Sequence, residues 1–444
     1  MRSLRRPTGG LWSHADFLRL WTGQSISEFG SQVSALALPW LAAAGLHATP
    51  LEFSLLTVLG FLPFILFALP AGVWVDRLRR RPILIAGDLG RAVLIGYVPL
   101  AWALGILTIV QLLVIQFVVG VFTVFFDVAY QSYLPSLVAR DQLVEGNSKL
   151  QSTASAAGVV GPGLAGVLIG VLTAPYAIVV DAASFVVSSA FMIPIRAVET
   201  PPEHEAGQRR PKMLPELKEG VAFVVRHPHL KWIAAATGCS NFFGMISMAI
   251  GLLYMQRVLD VSPFWAGAVL AGYGLGAIVG ALTTTRFQRA VGVGAAIWIP
   301  AVLFSVAGLA FPLAPHGTRG VPVLLAGTLL AGFGGMAYNI TQVSYRQAIT
   351  PQRMQGRMNA SMRWIVWGTM PIGSILGGAI ATATTMHTAL WVGAIGGLFA
   401  FLPVLLSSVR SIETMPEPEP TPHATADAGL VVPTTPAAAA DAPT

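Results

Sequence analysis

Twelve long apolar stretches, separated by short polar loops, constrain this chain more than any other feature of its sequence. Their approximate limits are 22–45, 51–75, 83–103, 106–132, 149–172, 175–195, 232–256, 263–285, 291–313, 320–344, 358–382 and 387–408. A span needs ~20 apolar residues at ~1.5 Å rise each to cross a ~30 Å hydrocarbon core. Because backbone groups in lipid need partners within their own segment, these spans are expected to be helices. We therefore predict an all-α integral membrane protein with twelve transmembrane helices.

The overall composition agrees with a membrane environment. Of the 444 residues, 54% are hydrophobic and 11% are charged, whereas a water-soluble domain carries about 25% charged residues. Cys239 is the only cysteine, which excludes a disulfide within the chain. The eight histidines lie in loops, span ends or tails, so we expect no metal site and no buried histidine relay.

The basic residues predict the orientation in the membrane. With twelve spans, 24 of the 27 lysines and arginines fall on the side of the termini, Arg257 and Arg319 fall on the opposite side, and Arg91 lies within a span. Positive loops stay in the cytoplasm. We therefore expect both termini to be cytoplasmic, in a bacterial inner or plasma membrane. We interpret the excess of basic over acidic residues as a topology signal rather than as a nucleic-acid-binding surface.

The longest polar stretch between spans divides the chain into two halves. We predict a cytoplasmic N-terminal segment (1–21), an N-terminal six-helix bundle (22–195), a cytoplasmic linker (196–231), a C-terminal six-helix bundle (232–408) and a disordered tail (409–444). The linker favours a surface amphipathic helix near 214–225. A weak repeat at an offset of 212 residues relates the two halves, and paired halves with a binding site between them are a known transporter plan.

A cluster of charge in the loop between spans two and three is unusual for this chain. Five of the six residues from Asp76 to Arg81 are charged. Arginines at a membrane surface attract anionic lipid, which explains the basic residues but leaves Asp76 unexplained. The loop resembles the signature of the major facilitator superfamily, and the matching residues are Gly72, Asp76, Arg77, Arg80 and Arg81. Arg79 stands where that signature usually has a second glycine.

The resemblance implies a conformational latch. In the superfamily the acid of this loop lies against the cytoplasmic N-terminus of span eleven, which we expect near Met358 here. A carboxylate at that position is favoured by the helix dipole. Arg80 would bridge Asp76 to Asp127 at the inner end of span four. The alternative is that the loop serves topology alone.

Span five carries a second family-like motif. Gly158, Gly161, Pro162 and Gly166 resemble part of the motif of drug/proton antiporters. Small residues let helices approach closely in lipid, and proline bends a helix. A bent, tightly packed span five would seal the outer side against leak, although ordinary small-residue packing remains the alternative.

Longer stretches extend this resemblance over residues 15–200 and, more loosely, 230–410. They look like the branch of secretion effectors and enterobactin exporters. The stretches are "LWTGQSISEFGSQVSALALPW", "LPAGVWVDRLRRRPILIAGDLGRA", "FFDVAYQSYLPSLVARDQLVEGN" and "VVGPGLAG". The resemblance implies a proton-driven exporter of siderophores, macrolides or other amphipathic compounds.

Charged residues inside spans are costly, at ~2.5–3.5 kcal/mol on insertion scales, and are candidates for proton transfer. Glu28 shares a polar helical face with Gln24 and Gln32, and this face is expected to line a central cavity. The alternative places Glu28 near the headgroups. Asp88 and Arg91 stand one turn apart, and a structural ion pair is the alternative to a proton role. Asp181 is interpreted as a capping or packing residue.

Further cavity candidates lie in the second half. They combine polar and aromatic groups, which suit amphipathic ligands, although packing or an interfacial belt also accounts for each. These residues are Asn241, Phe242, Tyr338, Asn339, Trp364 and Trp367.

The leading functional prediction is a proton-coupled exporter of amphipathic small molecules that works by alternating access. An importer of the same fold and a transport-inactive membrane scaffold or sensor are the alternatives. The chain contains no phosphate-binding loop of the Gly-x-x-x-x-Gly-Lys-Ser/Thr type. We therefore expect no enzymatic activity, no cofactor beyond the proton gradient, a monomer in the lipid bilayer, a small-molecule substrate and no nucleic-acid partner.

Overall fold

The computed structural model describes residues 10–75, 78–195 and 213–415, and the regular structure in these ranges is helical. The first half consists of α1 (Ala15–Ala44), α2 (Pro50–Val75), α3 (Arg80–Ala103), α4 (Ile109–Leu137), α5 (Leu143–Leu172) and α6 (Ala174–Met192). A linker helix, α7 (Met213–Arg226), follows. The second half consists of α8 (Leu230–Arg257), α9 (Pro263–Val291), α10 (Val293–Ala307), α11 (Ala310–Leu313), α12 (Val321–Ala348), α13 (Gln352–Trp367), α14 (Thr369–Ala383), α15 (Met386–Leu398) and α16 (Leu402–Leu405).

These helices form twelve spans. Within the described ranges, eleven helical segments are long and apolar enough to cross a membrane. Helix α1, with 30 residues, is long enough to be the twelfth, but Gln24, Glu28 and Gln32 make it more polar than the others. The pairs α10–α11, α13–α14 and α15–α16 each form one broken span. The predicted all-α architecture of twelve spans in two six-helix halves is confirmed.

Several helix limits differ from those predicted. Helix α1 begins at Ala15 rather than at residue 22, because the His14 side chain accepts a hydrogen bond from the Phe17 N–H and caps a polar first turn. Span eleven begins at Gln352, not near Met358, since its first turns are polar and hydropathy alone does not reveal them. The amphipathic helix predicted near 214–225 is present as α7. The predicted segments 1–9, 196–212 and 416–444 lie outside the described residues.

The two halves pack together on one side of the membrane only. We call the ends of the helices near residues 15, 226 and 410 the terminus side, and the opposite ends the far side. One hydrophobic core on the far side combines Val33 and Phe53 of the first half with Ile250 and Leu390 of the second.

On the terminus side the two halves have separate cores. One is built around Phe17, Leu84 and Tyr133 and contains first-half residues alone. The other is built around Leu230 and Met358 and contains residues of α7 and the second half alone. The structure is therefore closed on the far side, and its halves are separate on the terminus side.

Candidate functional site

A polar cavity of about 780 Å³ lies on the terminus side of the first half, between α1, α4 and α5. We call it the acidic cavity, because Glu28 of α1 and Asp127 of α4 both line it. Gln24 donates a hydrogen bond to Glu28 through its Nε2 atom (3.2 Å). The remaining lining is mostly hydroxyl and amide side chains, among them Tyr130, Gln131, Asn147, Ser148, Gln151 and Thr153.

Asp127 faces this cavity and forms no ion pair with the described part of the chain. The charges of Arg91 and Glu28 act on its carboxyl group. Arg80, the residue predicted to bridge to it, begins α3. The structure therefore brings Asp127 together with Glu28 in this cavity, and the predicted bridge through Arg80 stays a prediction.

The rest of the predicted latch is only partly described. Asp76 and Arg77 lie outside the described residues, so the latch stays a prediction. Gly72 lies near the end of α2, where an added Cβ atom would meet nothing within 4 Å. Arg81 holds the end of α6, because its Nε donates to the Met192 carbonyl (3.1 Å) and its Nη2 donates to the Ile193 carbonyl.

Asp88 and Arg91 form the predicted ion pair inside α3. Arg91 Nη2 lies 2.5 Å from Asp88 Oδ1, and the two residues are 6% and 0% exposed. The guanidinium carbon lies 4.2 Å from the ring centre of Phe126 and 4.4 Å from that of Phe185. The aromatic faces supply the stabilisation that a buried cation needs.

The antiporter-like motif of α5 contacts both halves. A Cβ atom at Gly161 would lie 2.5 Å from the Gln32 side chain of α1, and one at Gly166 would lie 2.5 Å from the Pro263 carbonyl of α9. Pro162 lies within α5 beside α9, where a Cβ atom at Gly267 would come into conflict with the Pro162 carbonyl. Gly158 packs less tightly, since nothing lies within 4 Å of its Cβ position.

The predicted residues of the second half separate into two groups. Asn241, Tyr338 and Asn339 line a cavity of about 160 Å³ between α8, α9, α10 and α12. The Tyr338 hydroxyl lies 2.6 Å from the Thr237 hydroxyl.

The aromatic candidates of the second half lie outside this small cavity. The Phe242 carbonyl packs closely against Gly373. Trp364 and Trp367 of α13 are 61% and 41% exposed, and Arg363 stacks on the Trp367 ring at 4.9 Å. The three aromatic residues therefore do not share the site formed by Asn241, Tyr338 and Asn339.

Sequence reasoning missed the surroundings of Asp181. Its side chain is 2% exposed, and Ser184 Oγ donates to its Oδ1 (3.2 Å). Ser34 of α1 and the charges of Arg91 and Asp88 face the same carboxyl group. A polar face of α6 could have been recognised from the sequence, because its residues recur at spacings of three and four: Asp181, Ser184 and Ser188.

Comparison with known proteins identifies the family. A profile described as transmembrane secretion effector matches residues 11–431. The chain belongs to this family of the major facilitator superfamily. The multidrug efflux pump Tap of Mycolicibacterium fortuitum is 26% identical over 394 residues, covering 86% of this chain and 91% of that protein. Macrolide efflux protein A of Streptococcus pyogenes is 24% identical over 383 residues, covering 82% of this chain and 89% of that protein.

Solved structures show the same fold. A bacterial homologue of the iron transporter ferroportin in its inward-facing state superposes with a TM-score of 0.69 at 16% identity, covering 88% of this chain and 98% of that one. The nucleoside transporter NupG superposes with a TM-score of 0.70 at 11% identity, again covering 88% and 98%. The chain thus has the major facilitator fold, and it is a multi-pass membrane transporter related to efflux pumps.

Proposed function

We propose that this transporter is a proton-coupled exporter of amphipathic small molecules, including macrolide-like compounds, that works by alternating access. The observation that carries the proposal is the position of two carboxyl groups, Glu28 and Asp127, in one cavity on the open side of the molecule. In the described conformation this cavity is open to the terminus side, where substrate would enter. Carboxyl groups that bind and release protons here would couple proton transfer to substrate binding in this conformation.

The closed far side supports the direction of transport. With 24 basic residues on the terminus side, that side faces the cytoplasm under the positive-inside rule. The described conformation is then open to the cytoplasm, where an exporter collects its substrate. The efflux activities named for the two relatives agree with this direction.

The remaining properties follow from the same proposal. The transporter resides in the bacterial cell membrane as a monomer, with both termini in the cytoplasm. It uses the proton gradient rather than a bound cofactor or nucleotide hydrolysis, its partners are a small-molecule substrate and the lipid bilayer, and it binds no nucleic acid.

The proposal is tested by measuring erythromycin accumulation in a host that lacks its own efflux pumps. We expect expression to lower accumulation, and a protonophore to abolish that effect while the ATP level is held constant. Glu28→Gln and Asp127→Asn should each reduce export at least tenfold. Asp260→Asn, which neutralises an exposed acid on the far side, is the matched control and should export normally.

Three results would contradict the proposal. Increased accumulation on expression would indicate an importer. Unchanged accumulation of erythromycin and of a panel of other amphipathic compounds, by a protein shown to reach the membrane, would favour the scaffold. Export that persists without a proton gradient would remove the coupling.

A further inference from the structure

Three charged residues lie buried together between α1, α3 and α6, away from the lining of the acidic cavity. Asp88, Arg91 and Asp181 are 0%, 6% and 2% exposed. The Arg91 guanidinium carbon of α3 lies 4.4 Å from the ring centre of Phe185 of α6, one turn from Asp181. The charges of Asp88 and Arg91 act on the Asp181 carboxyl group across this contact. The cluster therefore contains two acids for one base.

Among the described residues, the helices packed against α6 bring no second base to the cluster. Helix α1 contributes Ser34, and α3 contributes Asp88 and Arg91. The part of α5 that follows Lys149 carries no charged residue. Asp127 of α4 faces Arg91 from the acidic cavity, and it adds negative charge rather than a second base.

Buried polar atoms in the cluster are incompletely hydrogen-bonded. Asp88 Oδ2, Ser188 Oγ and Ser34 Oγ are inaccessible to solvent and form no hydrogen bond of normal geometry with the described residues, although Ser34 lies beside Asp181. Ser188 faces Asp88. Ser188 can donate one hydrogen bond to Asp88, but the charge of a second ionised carboxylate would stay unbalanced beside the single guanidinium group, in a site shielded from water, which is unfavourable.

We infer that Asp88, Arg91 and Asp181 form a second proton-binding site, which holds one exchangeable proton shared between the two carboxyl groups. Uptake of this proton changes the cluster from a net charge of −1 to neutrality. Because the two acids share one base, their titration belongs to the pair rather than to either residue.

Arg91 connects this site to the acidic cavity. Its charge acts on Asp127 as well as on Asp88 and Asp181. A cationic substrate that enters the cavity would neutralise the charge of Asp127. The positive charge of Arg91 would then act on Asp88 and Asp181 alone, which favours loss of their shared proton. This coupling rests on the proposed function, and it yields the exchange of substrate for proton that an antiporter requires.

Infrared difference spectroscopy of the purified transporter in lipid tests the site without a substrate. The probe is the C=O stretch of a protonated carboxyl group at neutral pH, with bulk pH as the variable. Asp88→Asn and Asp181→Asn should each remove the same component of the band, the one due to the shared proton, because one remaining carboxylate balances Arg91. Any component from Glu28 or Asp127 should remain. Asp260→Asn should leave the band unchanged. Loss of one bound proton in both variants is the expected result, and an unchanged band in either variant would overturn the inference.

Serine variants provide a second test that does not remove a charge. Ser188→Ala should shift the frequency of the band, since Ser188 faces Asp88. Ser189→Ala is the matched control, because Ser189 is equally buried and donates to the Val186 carbonyl instead. Identical spectra for Ser188→Ala and the wild type, or a band that requires sodium ions, would contradict a proton shared at this position.

The spectroscopic experiment tests the shared proton, and the transport experiment tests the proposed function, so either can be contradicted without the other. If erythromycin export continues without a proton gradient while the band behaves as expected, the proposed function is wrong and the proton site remains. If export is proton-driven but that component of the band survives in Asp88→Asn and Asp181→Asn, the proposed function remains and the shared proton does not exist.

Discussion

Arg257 joins the two halves on the far side with hydrogen bonds from a single side chain. Its Nη1 atom donates to the Ala48 carbonyl (2.9 Å) and its Nη2 atom donates to the Ala43 carbonyl (2.6 Å), both in the first half. These bonds exist only while the far side is closed. They stabilise the described conformation relative to one that opens on the far side.

Replacing Arg257 should shift the conformational equilibrium. A charged hydrogen bond contributes about 1.5–3 kcal/mol when buried, and the partial exposure of Arg257 reduces this to about 1 kcal/mol. Arg257→Gln should therefore raise the far-side-open population roughly fivefold, as measured by spin-label distances across the far side. Arg319→Gln is the control, because Arg319 is the other predicted far-side base and, among the described residues, it donates no hydrogen bond to the first half. Equal distance distributions for both variants would contradict the role of Arg257.

His229 links the start of α8 to the end of α12. Its Nδ1 atom lies 2.5 Å from the Tyr345 hydroxyl. Burial lowers the pKa of His229, and burial together with the His229 charge lowers the pKa of His227. The folded protein thus favours neutral imidazoles, with Arg226 and Lys231 as the adjacent charges in sequence.

Lowered histidine pKa values predict a loss of stability in acid. Above pH 6.5, the approximate pKa of a histidine in the unfolded chain, His229 is neutral in both the folded and the unfolded protein, so its contact with Tyr345 contributes fully to stability. As the pH falls below that value, the unfolded protein binds protons first, and the unfolded state is favoured. Thermal unfolding should show a steeper fall in Tm between about pH 7 and pH 5 for the wild type than for His229→Gln. His316→Gln, at an exposed far-side histidine, should retain the wild-type slope, and parallel curves for all three proteins would refute the effect.

Residue patterns predicted contacts along a helix better than contacts between helices. The Asp88–Arg91 pair was predictable because both residues lie one turn apart in α3. The approach of Asp181 to this pair depends on how α6 packs against α1 and α3, which a single sequence does not contain. For the same reason the position of Asp127 in one cavity with Glu28 was not predicted.

At the scale of elements, hydropathy located the spans but not all of their ends. Helix α1 extends into a polar turn with Asp16 and Arg19, which pair at 2.8 Å, so its start was placed too late. Spans nine and eleven break at Gly308 and Gly368. Nothing in their apolar pattern distinguishes a broken span from a continuous helix, because lipid-facing residues are apolar in both.

The contact between α5 and α9 closes the far side, and it depends on small residues. Gly166→Val would place side-chain atoms where the Pro263 carbonyl lies, at a cost of roughly 1–3 kcal/mol. Gly163 lies in the same helix, but nothing lies within 4 Å of its Cβ position. Gly166→Val should therefore reduce erythromycin export about tenfold or more. Gly163→Val makes the same change in intrinsic helix propensity without the steric conflict, and it should export normally. Equal loss in both variants would attribute the defect to α5 itself rather than to its contact with α9.

At the scale of the whole molecule, one shared core and two separate cores fit the rocking motion that the proposed alternating access requires. The far-side core joins both halves, whereas the terminus-side cores each belong to one half. Each half keeps its own terminus-side core when the far side opens, so the motion requires only the shared core to separate. In the proposed mechanism, the far-side contact is the element whose equilibrium substrate and protons bias.

Locking the far side should stop transport without unfolding either half. The backbone N–H of Leu51 in α2 donates to the Thr382 hydroxyl of α14 (3.2 Å), near the far-side surface. In a Cys239→Ser background, oxidised Leu51→Cys/Thr382→Cys should lose erythromycin export and regain it on reduction. Gly238→Cys/Thr369→Cys, which joins α8 to α14 within one half where the Thr369 hydroxyl donates to the Gly238 carbonyl (3.2 Å), should export in both redox states. Continued export by the fully cross-linked Leu51→Cys/Thr382→Cys protein would show that substrate crosses without separation of the halves, and alternating access would be wrong.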